Sequence, residues 1–167
     1  HSYTPVTWPE NDTLYGTLSA DFENTTYQWE YMPTALQAFS LPHHVNAVAR
    51  LSYHCGVAVE MMYGTATSGG SGAYTHAWAP GVPSADNALR DYFRYNDSLH
   101  SEYRSNYDSA AWASLIAADL EAGRPILYTG DDNTSGHAFI LDGSDIHGRY
   151  HFNWGWGGNG NGWFKLD

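Results

Sequence analysis

The sequence predicts an α+β fold in a single domain over residues 1–167, from three observations. Helical spacing of apolar residues recurs in three segments, all before Pro125. After Pro125 the pattern changes to short β-rich runs separated by turn residues. Helices come first and strands last, which points to an antiparallel sheet rather than βαβ units.

Residues 1–33 carry Pro5, Pro9 and Pro33 among many Thr, Asn and Tyr, and read as extended loops with short strands around Tyr15–Ser19. Pro42 suits a first helical turn. Val45, Val48, Ala49, Ser52 and Cys55 follow i, i+3, i+4, i+7 spacing, so 43–55 reads as a helix with Cys55 on its buried stripe. Gly56 would close it, and Val57-Ala58-Val59 would start a strand. Residues 64–83 form a Gly/Ser/Ala loop with Trp78, Pro80 and Pro83.

Ser84 is an N-cap candidate for a helix over 84–94, with Ala85, Ala88, Leu89, Tyr92 and Phe93 inward. Asp108 caps a third helix, 108–122, with Trp112, Leu115, Ile116 and Leu120 facing the core and Gly123 ending it. Strands follow at 126–128, 137–142, 150–154 and 162–166, and Asp145-Ile146-His147-Gly148 is a hairpin turn.

Composition narrows the function. Net charge is −11 and Lys165 is the only lysine, so the basic footprint that nucleic acid requires is missing. No apolar run is long enough to span a membrane. The opening His1-Ser2-Tyr3 lacks a basic n-region and an apolar h-region, so a processed product or a fragment is expected. A lone cysteine, Cys55, excludes an internal disulfide.

Chemistry concentrates near the end of the sequence. His137 sits between the small Ser135-Gly136 and a buried run, Ala138-Phe139-Ile140-Leu141. Gly136 leaves room for a substrate backbone. Asn153 and Trp154 lie on the next β-rich run, where an amide could set the imidazole tautomer and an indole, Trp154 or Trp156, could exclude water. Core filling alone would explain the tryptophans but not the Asn beside them.

Cys55 is a poor nucleophile by position. It lies at the C-terminal end of its helix, where the macrodipole disfavours a thiolate. Metal chemistry is weakly supported. His43 and His44 are adjacent, and His147 and His151 straddle a turn rather than share a helix face. Seven tryptophans and thirteen tyrosines keep a carbohydrate-binding module open as an alternative, provided they form one exposed row.

The run His137–Gly143, with Tyr150–Gly158 and Gly162–Asp167, resembles the end of the streptopain-like cysteine peptidases, bacterial secreted enzymes of papain-like fold. The segment Cys55–Gly64, the Ser68–Ala73 loop and Tyr27-Gln28-Trp29 are similar to that family as well. The resemblance implies a secreted cysteine endopeptidase acting on polypeptides without a cofactor. It implies His137 as base with Asn153, Trp154 and Trp156 around it, and Ser71, Gly72, Ala73 and Gly136 at the substrate. The family's nucleophile motif, Gly-Cys-Val-Ala-Thr, is not in this sequence, and Cys55 matches a non-catalytic position. The resemblance therefore implies a nucleophile carried by a separate N-terminal segment or propeptide, a continuation beyond Asp167, and an inactive 167-residue chain. A catalytically inactive papain-like module is the second alternative.

Overall fold

A computed structural model describes residues 1–5, 16–65, 70–131 and 134–166. The chain divides into two units, His1–His100 and Ser101–Asp167, each taken by itself.

The first unit holds a two-stranded antiparallel pair, β1 (Ser2–Tyr3) with β2 (Leu18–Ser19), and helices α1 (Pro42–Ala58) and α2 (Ala85–Asp91). The strand around Tyr15–Ser19 is present at Leu18–Ser19, while Tyr15 lies outside the described residues.

α1 corrects the sequence reading in three ways. It runs through Gly56 and on to Ala58, so Val57–Val59 is not the start of a strand. Gly56 is needed for close approach instead. A Cβ there would meet the Tyr63 hydroxyl at 2.5 Å. The buried face is also a different one, formed by Ala47, His54, Gly56, Val57 and Ala58. The stripe of Val45, Ala49, Ser52 and Cys55 faces outward, with Val45 41% exposed. Hydrophobic periodicity misplaced the face because two members of the real one are a histidine and a glycine. His54 is held by the Tyr27 hydroxyl at its Nδ1, 2.9 Å away. Burial, assisted by the Arg50 charge, lowers its pKa and so favours the neutral ring.

α2 is shorter than the expected 84–94. Ser84 precedes it, but its hydroxyl donates to Asp86 Oδ1 at 2.5 Å instead of capping the backbone.

The second unit packs α3 (Ser109–Glu121) on a four-stranded antiparallel sheet of β3 (Ile126–Asp131), β4 (Gly136–Ser144), β5 (Tyr150–Asn153) and β6 (Gly162–Phe164), ordered β3-β4-β5-β6. Asp108 Oδ1 accepts from Ala111 N–H at 2.8 Å, the cap the sequence anticipates. Asp108→Ala is expected to cost about 1 kcal/mol, read as a lower urea midpoint at unchanged m. At the other end Gly123 adopts φ +73 and returns its N–H to Leu120.

Alternation on β4 sends Phe139 and Leu141 to the side covered by α3, where they join Trp112, Ile116, Tyr150 and Phe152 in one core cluster. The hairpin turn forms at Asp145–Gly148 as expected. Asp145 Oδ1 accepts from the backbone of His147 and Arg149, both at 2.9 Å. A bulge at Asp142 shifts the β4–β5 register between Leu141 and Gly143. Among the described residues no helix is long and apolar enough to cross a membrane.

Candidate active site

His137 is the second residue of β4 and belongs, by alternation, to the same side of the sheet as Phe139 and Leu141. It is half-buried, at the end of the core. Its ring stacks along Phe139, with centroids 6.3 Å apart and planes 16° apart. Trp156 lies 5.0 Å away and Trp154 6.0 Å, and the two indoles stack on one another at 5.5 Å. Trp154 also touches Phe139, Phe152 and Phe164, so it is anchored in the core. Trp156 is 55% exposed and forms the outer wall.

The group that holds the ring is not the one the sequence suggested. His137 Nε2 is 2.9 Å from the backbone carbonyl of Trp154. The Asn153 side chain is engaged elsewhere, its Oδ1 accepting from Gly155 N–H at 3.1 Å. The physical reason is strand parity. Asn153 pairs with Ile140, an odd number of residues from His137, and so faces the opposite side of the sheet. The next residue, Trp154, returns its backbone to the histidine as the strand ends.

This exchange of partner fixes the chemistry. A carbonyl oxygen has only lone pairs, so Nε2 must carry the proton and donate it. In the neutral ring Nδ1 is then the unprotonated nitrogen, able to take a proton.

The remaining candidates fall as follows. Gly136 opens β4, paired with Asp131, next to His137. Ser71 and Gly72 are exposed in the first unit. Gly72 and Met62 exchange backbone hydrogen bonds, both 2.9 Å, and Gly64 N–H donates to Ser71 Oγ at 3.2 Å. Those contacts form an isolated antiparallel bridge, and Ala73 is the half-buried residue that follows it. Ser68 and Gly69 of the same loop lie outside the described residues.

Cys55 is exposed rather than buried, which corrects the packing expected of it. It sits in the last turn of α1, with its carbonyl accepting from Val59 N–H. Although accessible at the surface, its sulfur is crowded by neighbouring protein, and that desolvation pushes the thiol pKa up. Both effects oppose a thiolate. Among the described residues no group of three or more His, Cys, Asp or Glu converges as a metal site. His151 Nδ1 pairs with Asp142 Oδ1 at 2.6 Å instead.

Sequence reasoning missed Asn161. Its Oδ1 accepts from Trp154 N–H at 3.0 Å. The only hint was its place in the turn-forming string Asn159-Gly160-Asn161-Gly162, which signals a turn but not a partner.

Comparison with known proteins identifies the family and the fold. The model of the Peptidase C10 family matches residues 2–164. Streptopain of Streptococcus pyogenes is 37% identical over 150 residues, covering 90% of this chain and 35% of its own. The thiol protease/hemagglutinin PrtT of Porphyromonas gingivalis is 33% identical over 171 residues, covering 96% and 18%. Active interpain A, a cysteine protease of Prevotella intermedia, superposes with a TM-score of 0.82 at 37% identity, over 99% of this chain and 65% of that one. A prointerpain A fragment gives 0.81 at 38%, over 99% and 49%. The chain thus spans about a third of the streptopain it matches. The fold is that of a papain-like cysteine peptidase, and the chain belongs to the Peptidase C10 family, the streptopain-like cysteine peptidases.

Proposed function

We propose that this chain supplies the general-base half of the active site of a secreted bacterial cysteine endopeptidase. The carrying observation is the bond from His137 Nε2 to the Trp154 carbonyl. It leaves Nδ1 free of a proton, which is the state a base requires. In the reaction Nδ1 takes the proton of a cysteine thiol, and the sulfur attacks the substrate carbonyl. The amide nitrogen leaves with the proton that the imidazolium returns. The resulting thioester is then cleaved by water, with His137 again as base. Trp154 and Trp156 limit the access of water to the Nε2 bond and strengthen it by lowering the local dielectric.

In this reading Gly136 gives the substrate backbone room beside the base, and the family resemblance alone supports Ser71, Gly72 and Ala73 as substrate contacts. Asn153 acts through the turn it builds rather than on the ring. The nucleophile is a cysteine of a segment outside these 167 residues. The helix-end setting and raised thiol pKa of Cys55 support that choice. The substrate is a polypeptide, as the family membership suggests, and no cofactor enters the scheme.

Two experiments test it. Cleavage of an unfolded protein by the natural protein carrying this chain should be abolished by a thiol alkylator. The same assay on the isolated 167-residue chain should show no cleavage. Alkylator-sensitive cleavage by the isolated chain would overturn the reading. Cys55→Ala in the natural protein is expected to leave kcat and KM within about twofold, and to change stability by less than about 1 kcal/mol, because the residue is exposed.

A further inference from the structure

The Trp154 carbonyl can orient a histidine only if it is itself fixed, and the ladder does not fix it. β5 ends at Asn153, so Trp154 lies beyond the last strand residue. Two side-chain amides take over where the strand stops. On one side of Trp154, its own N–H donates to Asn161 Oδ1 at 3.0 Å. On the other, the Trp154–Gly155 peptide is held at both ends. Its carbonyl accepts from His137 Nε2 at 2.9 Å, and the Gly155 N–H donates to Asn153 Oδ1 at 3.1 Å. With both flanking peptides pinned, neither backbone torsion of Trp154 can turn freely.

Asn161 reaches this point because the chain folds back on itself after Trp156. Asn159 N–H donates to the Trp156 carbonyl at 3.1 Å, and Asn161 N–H to that of Gly158 at 3.4 Å. Between them Gly160 takes φ +75, and a Cβ there would stand 3.5 Å from Trp154 Cδ1 and 3.8 Å from Trp156 Cε3. The turn therefore runs beside both indoles and delivers the Asn161 amide to the Trp154 backbone. Asn161 is half-buried, where the bond is shielded from competing water.

We propose that Asn161 is a positioning residue for the base. By holding the Trp154 N–H it fixes the plane of the carbonyl that orients His137, without touching the ring or the substrate. The inference rests on the reading of His137 as general base. Asn153 completes the clamp from the other peptide, and its Oδ1, by accepting from Gly155 N–H, polarises the shared peptide so that the Trp154 oxygen is a better acceptor.

The test uses the natural protein. Asn161→Ala should lower kcat by roughly 10- to 100-fold, the scale of a small displacement of a catalytic group, with KM changed less than about twofold. The acid limb of kcat/KM should move to lower pH, because a loosened carbonyl stabilises the imidazolium less and the base is freed of its proton at lower pH. Asn161→Asp, which keeps an oxygen acceptor, should recover most of the lost rate. A residue that only shaped the turn would lower the thermal midpoint and leave the pH profile in place, and that result overturns the proposal. So does an Asp variant no better than the Ala variant. If Asn161→Ala does not fold, hydrogen exchange in the unmodified protein decides: a Trp154 amide exchanging as fast as the exposed turn glycines overturns the proposal, and a protected one supports it. His137→Ala separates the two layers. Full turnover in that variant removes the general-base reading. An inactive His137→Ala beside an unaffected Asn161→Ala removes the positioning role alone.

Discussion

His137→Ala in the natural protein is expected to lower kcat/KM by roughly 10²–10⁴-fold, the contribution of a positioned general base. The loss should fall on kcat, because in the proposed scheme the imidazole acts on the thiol and the leaving amine rather than on substrate binding. The fold should persist. The ring is at the end of the core and only half-buried, so far-UV circular dichroism and the urea midpoint should change little. His137→Gln would keep some polarity at the site but has no titrating nitrogen, and should be as poor as alanine. Near-normal turnover in either variant would remove the base and with it the functional reading.

Leu141→Ala should give the largest loss of stability. Leu141 is completely buried, pairs with Ile126 on one side and Phe152 on the other, and sits in the cluster that joins α3 to the sheet. Removing three carbons there leaves a cavity that β-strands on both sides cannot easily close, for a cost of about 2–5 kcal/mol. Leu127→Ala on the opposite side of β3, where the side chain is 40% exposed, should cost less than about 1 kcal/mol. Urea unfolding at constant m measures both. Equal costs at the two positions would mean that the side of the sheet facing α3 has been misassigned. Because Phe139 lies between Leu141 and the histidine on the same side, Leu141→Ala should also lower kcat before it lowers binding.

The parts of this fold that were legible in the sequence are those whose cause is local. The cap of α3 is one aspartate and the amide three residues on. The Asp145 turn is one carboxylate and two nearby amides. The site was legible as far as His137, because the small residues before it and the apolar run after it are both sequence features. Its partner was not. A main-chain carbonyl has no sequence signature, and the choice between Asn153 and Trp154 depends on strand register, which one residue reverses. Asn161 was hidden for a related reason, since its partner is a backbone N–H seven residues earlier. The orientation of α1 was misread because apolar periodicity counts neither His54 nor Gly56, yet both belong to its buried face.

The sheet order of the second unit also bears on how the site comes into being. Each strand pairs only with its neighbours in sequence, β3 with β4, β4 with β5 and β5 with β6. No long chain closure is needed to build it, and local pairings of this kind cost less closure entropy than distant ones. A hairpin closes in about 1–10 μs, whereas a ribosome adds only about 5–20 residues per second. His137 and its carbonyl clamp are thus joined by a single hairpin and the turn after it, with every part supplied between Gly136 and Asn161. During synthesis His137 and its carbonyl clamp can be set in place almost as soon as that stretch has left the ribosome, without waiting for a slow search among distant segments.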